Sequence, residues 1–413
     1  MKSEPVHNRL IVLILLCYPA LLLTVKGGMG VLFFLLLILS LFSLYRMRSS
    51  HPVSHWDGYS IAFALAMASP VLAIFLSQAY HGQFSARPYD WAARFLLSIP
   101  IFLALRQTHL RAVMFLQLGI PLGALITVIT LYFHHNDWND GRYTTEIAFN
   151  LIHFGDAALM LGLLSLFSIN WEQRDHPSIL ILKFGGFLAG VYMSIQTGER
   201  GGWIAIPPLL LLWSISYSRE RIWLKLSIAT LAIGCAAVMS YLLVDVIHSR
   251  IDSIFTDLNN FAQGIKDTSF GVRVQQWQTA GHLFLENPVF GVGPGGFLQA
   301  MPALSQQGML SAEAARMGNA EIHSEIFAKA SETGIFGLMS LLSIYIVPTA
   351  IFWKAARSAV PLVRRACFMG ICLVAGFFIF GLTVEIFNLK MTAAFFSLTL
   401  AVLMAAATTK TAH

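Results

Sequence analysis

Charge is scarce in this chain. Aspartate, glutamate, lysine and arginine make up 12% of its 413 residues, about half of the ~25% usual in a soluble domain. Cysteine is scarcer still: Cys17, Cys235, Cys367 and Cys372 are the full set, and each lies in an apolar run. A thiol in such a run behaves as a small hydrophobe, so neither a disulfide framework nor a cysteine-based zinc site is indicated. Also missing is the apolar–polar alternation of a lipid-facing strand, which excludes a membrane barrel. No internal repeat or low-complexity segment is evident.

Apolar residues are abundant, at 56% with a mean hydropathy of +0.68. They come in runs close to the ~20 residues that cross a bilayer as helix. The chain therefore reads as an all-α polytopic membrane protein. Twelve spans are expected, at roughly 10–25, 29–45, 59–80, 92–105, 111–133, 147–169, 179–197, 202–217, 222–244, 333–353, 364–384 and 391–408. The fourth is short, either interfacial or strongly tilted. The first follows Lys2 and Arg9 and runs straight into further spans, as expected of an uncleaved first span rather than a signal peptide.

An even number of spans puts both termini on one side. If that side is cytoplasmic, the inner segments carry sixteen lysines and arginines. The short outer segments carry six: Lys26, Arg87, Arg94, Arg142, Arg200 and Lys390. This is the positive-inside bias, and it accounts for the formal charge of +6 without invoking nucleic acid. Three regions follow: spans one to nine over 1–244, a long outer loop over 245–332, and spans ten to twelve with a short cytoplasmic tail over 333–413. Ile251, Ile254, Phe255 and Leu258 sit at helical spacing in the loop. Short amphipathic helices lying against the membrane face are expected there, not a separate domain.

Four stretches can carry chemistry. In "SFGVRVQQWQTAGHLFLENPVFGVGPGGF" (269–297), Arg273 opens a helix and a glycine-rich turn with Pro288 follows. That turn either approaches a ligand closely or is simply a tight turn of fixed shape. No lysine-serine or lysine-threonine follows it, which excludes a P-loop. In "QTGERGGWIAIPP" (196–208), Arg200 sits among Gly198, Gly201 and Gly202, so few side chains should obstruct its guanidinium. It either snorkels to the interface or binds phosphate through its planar fork. In "EIHSEIFAKASETGIFG" (321–337), Ser324 is expected to cap the helix that becomes the tenth span, with His323 just outside it. His323 is then either a polar surface residue or a general base. Gly334 and Gly337 should share one helix face for close packing. The cluster "HHNDWND" (134–140) has neither an aspartate pair around one residue nor a histidine pair at helical spacing, so a metal site is not indicated.

These motifs resemble the O-antigen ligase family, within the superfamily of O-antigen polymerases and pilin oligosaccharyltransferases. The family pattern of His-Asn/Ser/Gln, nine residues and Gly-x-x-Gly is matched by His323-Ser324, residues 325–333 and Gly334-Ile335-Phe336-Gly337. Gly271-Val272-Arg273 matches the family's Gly-x-Arg, and Arg200 with Pro207 matches its arginine followed seven residues later by proline. Where some relatives carry threonine beside that arginine, this chain has Glu199.

The resemblance implies a fold related to C-type glycosyltransferases, placed in the bacterial inner membrane with its active site on the periplasmic face. The implied donor is undecaprenyl-diphosphate-linked O-antigen and the acceptor lipid A–core oligosaccharide, with no cofactor or metal, in a protein acting as a monomer. His323, Arg273 and Arg200 would be catalytic. Arg200, Arg273, Glu321, Ser324, Gly293 and Gly295 would contact substrate. Glu321 and Glu325 are candidates to orient His323, although Glu325 equally suits Lys329 four residues on.

Three rivals stand beside a ligase. An O-antigen polymerase shares the motifs. A pilin-type oligosaccharyltransferase fits less well, since about five residues follow the last span. A lipid-linked glycan transporter should show charged or broken helices at mid-membrane.

Overall fold

The computed structural model describes residues 5–50, 56–137, 142–145, 150–170, 172, 174–217, 222–317 and 321–409. Lys2, Arg219, Arg221 and Lys410, four of the sixteen inner cations, and Asp140 of the 134–140 cluster lie outside them. In order, the helices are α1 (Pro5–Leu22), α2 (Gly28–Ser50), α3 (Gly58–His81), α4 (Tyr89–Leu105), α5 (Leu110–Val113) and α6 (Leu116–Phe133). A hairpin of β1 (His135–Asp137) and β2 (Tyr143–Thr145) follows, pairing part of the polar 134–140 cluster antiparallel, with His135 opposite Thr145. Then come α7 (Leu151–Phe167), α8 (Pro177–Thr197), α9 (Arg200–Trp203), α10 (Ile206–Tyr217) and α11 (Ile222–Leu243). The long loop holds α12 (Asp245–Ala262), α13 (Ser269–Glu286), α14 (Gly296–Gln306) and α15 (Ala312–Met317). The chain closes with α16 (Glu325–Ala355), α17 (Pro361–Phe380) and α18 (Lys390–Ala407).

This is a multipass, all-α membrane protein. Every expected span falls on a helix, but seven helical segments among the described residues are long and apolar enough to cross a membrane unaided: Gly28–Met47, Gly58–His81, Leu110–Phe133, Pro177–Thr197, Glu325–Ala355, Pro361–Phe380 and Lys390–Ala407. His7–Leu22 and Leu151–Phe167 are apolar but shorter. Their length, like the 17 residues of α4 and the 12 of α10, falls short of the ~20 that a perpendicular span needs.

Small residues set the packing where lipid offers no hydrophobic drive between helices. On α8, a Cβ added at Gly190 would lie 2.5 Å from the Ala158 carbonyl oxygen of α7 and 2.5 Å from the Gly162 Cα. α18 is enclosed almost along its whole length, and Phe396 packs among Phe377, Phe387 and Tyr345. The loop helices carry a small core of their own, built on Val272, Leu283, Phe297, Met301 and Ile322 and sealed by Ala328 of α16. Ile254, Phe255 and Leu258 of α12 face outward.

α16 is two helices joined at a kink, and the reason corrects one expectation. Gly334 does not share a smooth helix face with Gly337: it breaks the helix, at φ 64° and ψ −149°, a conformation open to glycine alone. The glycine-rich turn clamps the break. Ile335 N donates to Pro288 O (2.8 Å), Val292 N to Ser331 O (2.8 Å) and Gly293 N to Glu332 O (3.0 Å). The amide and carbonyls released by the break are thereby satisfied, as buried backbone demands. A Cβ on Gly334 would stand 2.4 Å from Val289 O, so the turn and the break fit only together.

Candidate active site

Three chain segments meet at the end of the bundle where α7 begins and α8 ends. Asn150 starts α7, its side-chain oxygen accepting from Ile152 N (2.9 Å) and His153 N (3.2 Å). Gly198 ends α8 in the left-handed region, and Glu199 then caps the short α9 by accepting from Gly201 N at 3.0 Å. This places Arg200 on the first residue of α9. Thr268 starts α13 by accepting from Gly271 N (3.1 Å), which brings Arg273 in one turn later.

His323 precedes α16 with a left-handed backbone (φ 55°), uncommon for a residue with a side chain. Both flanks hold it there. Its carbonyl accepts from Trp277 Nε1 at 3.2 Å, the Ile322 amide donates to a carboxylate oxygen of Glu385, and Glu325 N donates to Gly381 O at 2.8 Å. Ser324 occupies the N-cap position of α16, but its side chain makes no capping bond. The 381–389 turn supplies the fixing that the serine was expected to give.

Arg200, Arg273 and His323 line one cavity of about 470 Å³. Arg142, Arg250 and Glu199 line it as well. Behind its wall, Nδ1 of His323 faces Oε1 of Glu321, which does not itself line the cavity, at 3.2 Å, with side-chain exposures of 13% and 6%. Burial alone would raise the Glu321 carboxyl. The close contact with His323, with the charges of His153 and Arg273, outweighs it and holds Glu321 below the usual carboxylate range. Glu321 is thus an ionised partner for the imidazole.

Arg200 is less open than its glycines suggest. Its Nη1 donates to Ser253 Oγ (2.6 Å) and to Arg250 O (3.2 Å), and its Nη2 lies 3.7 Å from Asp257 Oδ2, all on α12. The neighbouring glycines make room for other groups. A Cβ on Gly198 would stand 2.9 Å from Arg250 Nε and 3.0 Å from Arg142 Cδ; one on Gly202 would stand 2.3 Å from Asp156 Oδ1.

Gly293 and Gly295 do not line this cavity. They belong to the clamp on α16, where Gly295 N donates to Glu332 Oε1 at 2.8 Å. The fixed-turn reading describes their position. Glu325 pairs with Lys329 (3.1 Å) and accepts from Phe387 N (3.0 Å), so of the two glutamates Glu321 is the one at the imidazole. Lys329 Nζ also sits 4.2 Å from the Trp91 ring centre.

Three cavity-region residues escaped sequence reasoning. Arg142 and Arg250 were only two cations among several in polar segments. Asp156 lies inside an apolar run, yet it is buried beside Glu199, Glu321 and Arg273, and neither carboxylate oxygen has a hydrogen-bond partner among the described residues. Its signal was the charge itself, since a carboxylate within a span is rare without a purpose.

The helical membrane body thus gathers an imidazole, a carboxylate and guanidinium groups at one end. Residues 185–342 match the family model described as O-antigen ligase, so the family resemblance of the motifs is borne out. That stretch contains Arg200, Arg273, His323 and Gly334 to Gly337. An O-antigen ligase of Escherichia coli is 23% identical over 195 residues, 46% of this chain and 44% of that protein. An uncharacterized protein of Haemophilus influenzae is 24% identical over 290 residues, 69% of this chain and 71% of that one.

Proposed function

We propose that the chain is a glycosyltransferase that moves an O-antigen glycan from undecaprenyl diphosphate to a sugar hydroxyl of lipid A–core oligosaccharide. The reaction would take place at the periplasmic leaflet of the bacterial inner membrane, the side the lysine and arginine bias assigns to the His323 end. One observation carries this reading: Arg200, Arg273 and His323, distant in sequence, line a single cavity.

The chemistry follows from the donor. A lipid diphosphate is already an activated leaving group, so the enzyme must activate the acceptor and receive the charge that departs. With Nδ1 of His323 turned to the ionised Glu321, Nε2 is left to take the proton from the acceptor hydroxyl. The oxygen attacks the anomeric carbon, the bond to the diphosphate oxygen breaks, and its electron pair leaves on undecaprenyl diphosphate. Inversion at that carbon results. The general base contributes about 10²–10⁴-fold. The Arg273 fork matches diphosphate oxygens two bonds at a time, and Arg200, held in place by α12, adds its positive charge; the pair would take the place of a metal ion.

The name of the Escherichia coli relative favours ligation over chain extension. Purified enzyme given donor with lipid A–core should form the ligated product, and given donor alone should form none. Chain extension of the donor by itself would overturn the ligase reading in favour of a polymerase. His323→Ala should lower transfer by about 10²-fold or more at unchanged melting temperature; near-normal turnover would dispose of the base assignment.

A further inference from the structure

A second cavity, of about 750 Å³, opens at the opposite end of the bundle, between the α5–α6 junction, the α7–α8 connection and the start of α17. α7 runs from the His323 cavity at Asn150 to Phe167, and α8 returns from Pro177 to Gly198, so this pocket and the candidate active site lie at opposite ends of the same helices.

Arg365 lines this pocket at 9% exposure, with Nη1 donating to Gln117 Oε1 at 2.6 Å. The carboxylates around it are already engaged. Asp175 pairs with Lys183 at 2.8 Å, and Glu172 pairs with Arg364. Among the described residues, no carboxylate lies within ion-pair distance of Arg365 or of Arg111, an exposed residue on the same lining. A buried guanidinium left with an amide for a partner is costly unless an anion completes it. Met114, Phe115 and Leu118 give the wall beside the two arginines an apolar stretch, while His109, Asn170 and Asp175, the last held by Lys183, also line it.

We infer that this cavity binds the phosphate headgroup of an anionic lipid, with Arg365 and Arg111 on the phosphate and an acyl chain against Phe115 and Leu118. A guanidinium fork suits phosphate oxygens. Basic pockets between helices at the cytoplasmic leaflet take anionic lipid headgroups, and the charge bias assigns this end to that leaflet. Free phosphate shares the headgroup chemistry, but it leaves the apolar wall uncovered. The site is independent of the transfer reaction proposed for the other end.

Thermal unfolding of the delipidated full-length protein in detergent tests this, with phosphatidylglycerol, phosphatidylethanolamine or inorganic phosphate added. Phosphatidylglycerol should raise the melting temperature saturably, as a ligand of the native state does, and phosphatidylethanolamine should not. Arg365→Gln should raise the half-saturating concentration of phosphatidylglycerol about tenfold or more, the loss of a charge-assisted contact. Arg111→Ala, at an exposed position, should shift it in the same direction and keeps the test open if Arg365→Gln does not fold. An unshifted lipid response in these variants, or no response in the parent protein, overturns the proposal. So does inorganic phosphate acting as strongly as the lipid, which would mark a site for free anion.

Discussion

His323 and Glu321 face each other at 3.2 Å, two residues apart along the chain and both largely withdrawn from solvent. The left-handed turn at His323 folds the ring back onto a carboxylate so close in sequence. Glu321→Gln keeps the shape and removes the charge that, in the proposed mechanism, would steady the imidazolium formed during proton transfer. Turnover should fall by about 10²-fold, within the span general-base assistance supplies, with little change in donor KM. The folded-state pKa of Glu321 is depressed, so its ionisation stabilises the protein above the ordinary glutamate pKa, about 4.3, and that stabilisation is lost as pH falls through the depressed value. Glu321→Gln should therefore unfold with a weaker acid dependence below that range, which acid titration of the melting temperature reads directly.

Arg273 tests the fork. Lysine preserves the positive charge at the cavity but cannot donate two parallel hydrogen bonds from one plane. Arg273→Lys should reduce kcat/KM for the lipid-diphosphate donor by about tenfold or more, and added chelator should leave both proteins unchanged. Full activity of the lysine variant would remove bidentate binding from the mechanism.

Ser253 positions Arg200 from α12 through a 2.6 Å hydrogen bond. Ser253→Ala should leave the fold intact and weaken donor binding about tenfold, the scale of one hydrogen bond to a charged group. The effect should appear in KM rather than kcat. Ser253→Thr, which restores the hydroxyl, should recover most of it.

Glu385 holds the backbone beside His323 by a less direct route. Burial and the neighbouring Glu332 and Glu325 push its carboxyl well above the usual range, with Lys329 opposing, and it accepts from the Ile322 amide. Glu385→Gln should be close to neutral for turnover and melting temperature. Glu385→Ala leaves Ile322 N unanchored and should cost about tenfold in turnover. Equal loss in both variants would show that the charge, not the hydrogen bond, matters.

The break in α16 gives the sharpest stability test. Gly334→Ala forces a side chain into positive φ and against Val289 O at 2.4 Å, and should destabilise by about 3 kcal/mol or more. Gly30→Ala on α2, where an added Cβ meets nothing within 4 Å, should change stability by less than about 0.5 kcal/mol. Thermal unfolding in detergent compares the two.

How much was legible in the sequence follows from the range of each interaction. The helices could be placed because an apolar run declares itself locally, and each expected span lies on one. Arg200, Arg273 and His323 could be named because their motifs are short. Gly334 was misjudged because small residues three apart look the same on a packed face as at a break, and residues 288–293 decide between them. The expectations for Ser324 and the glycines around Arg200 failed for the same reason: residues 381–389 fix His323, and α12 holds Arg200. Arg142, Arg250 and Asp156 reach the cavity region through contacts that leave no local pattern.

The seam between Glu385 and the backbone before α16 bears on how such a protein can be divided. The segment matched by the family model ends at residue 342, short of the turn that secures its own histidine. Cut out at those borders, it would lose that anchor, so the recognisable stretch is not a transplantable module. Grafting its chemistry onto another membrane scaffold would require bringing the last two helices along.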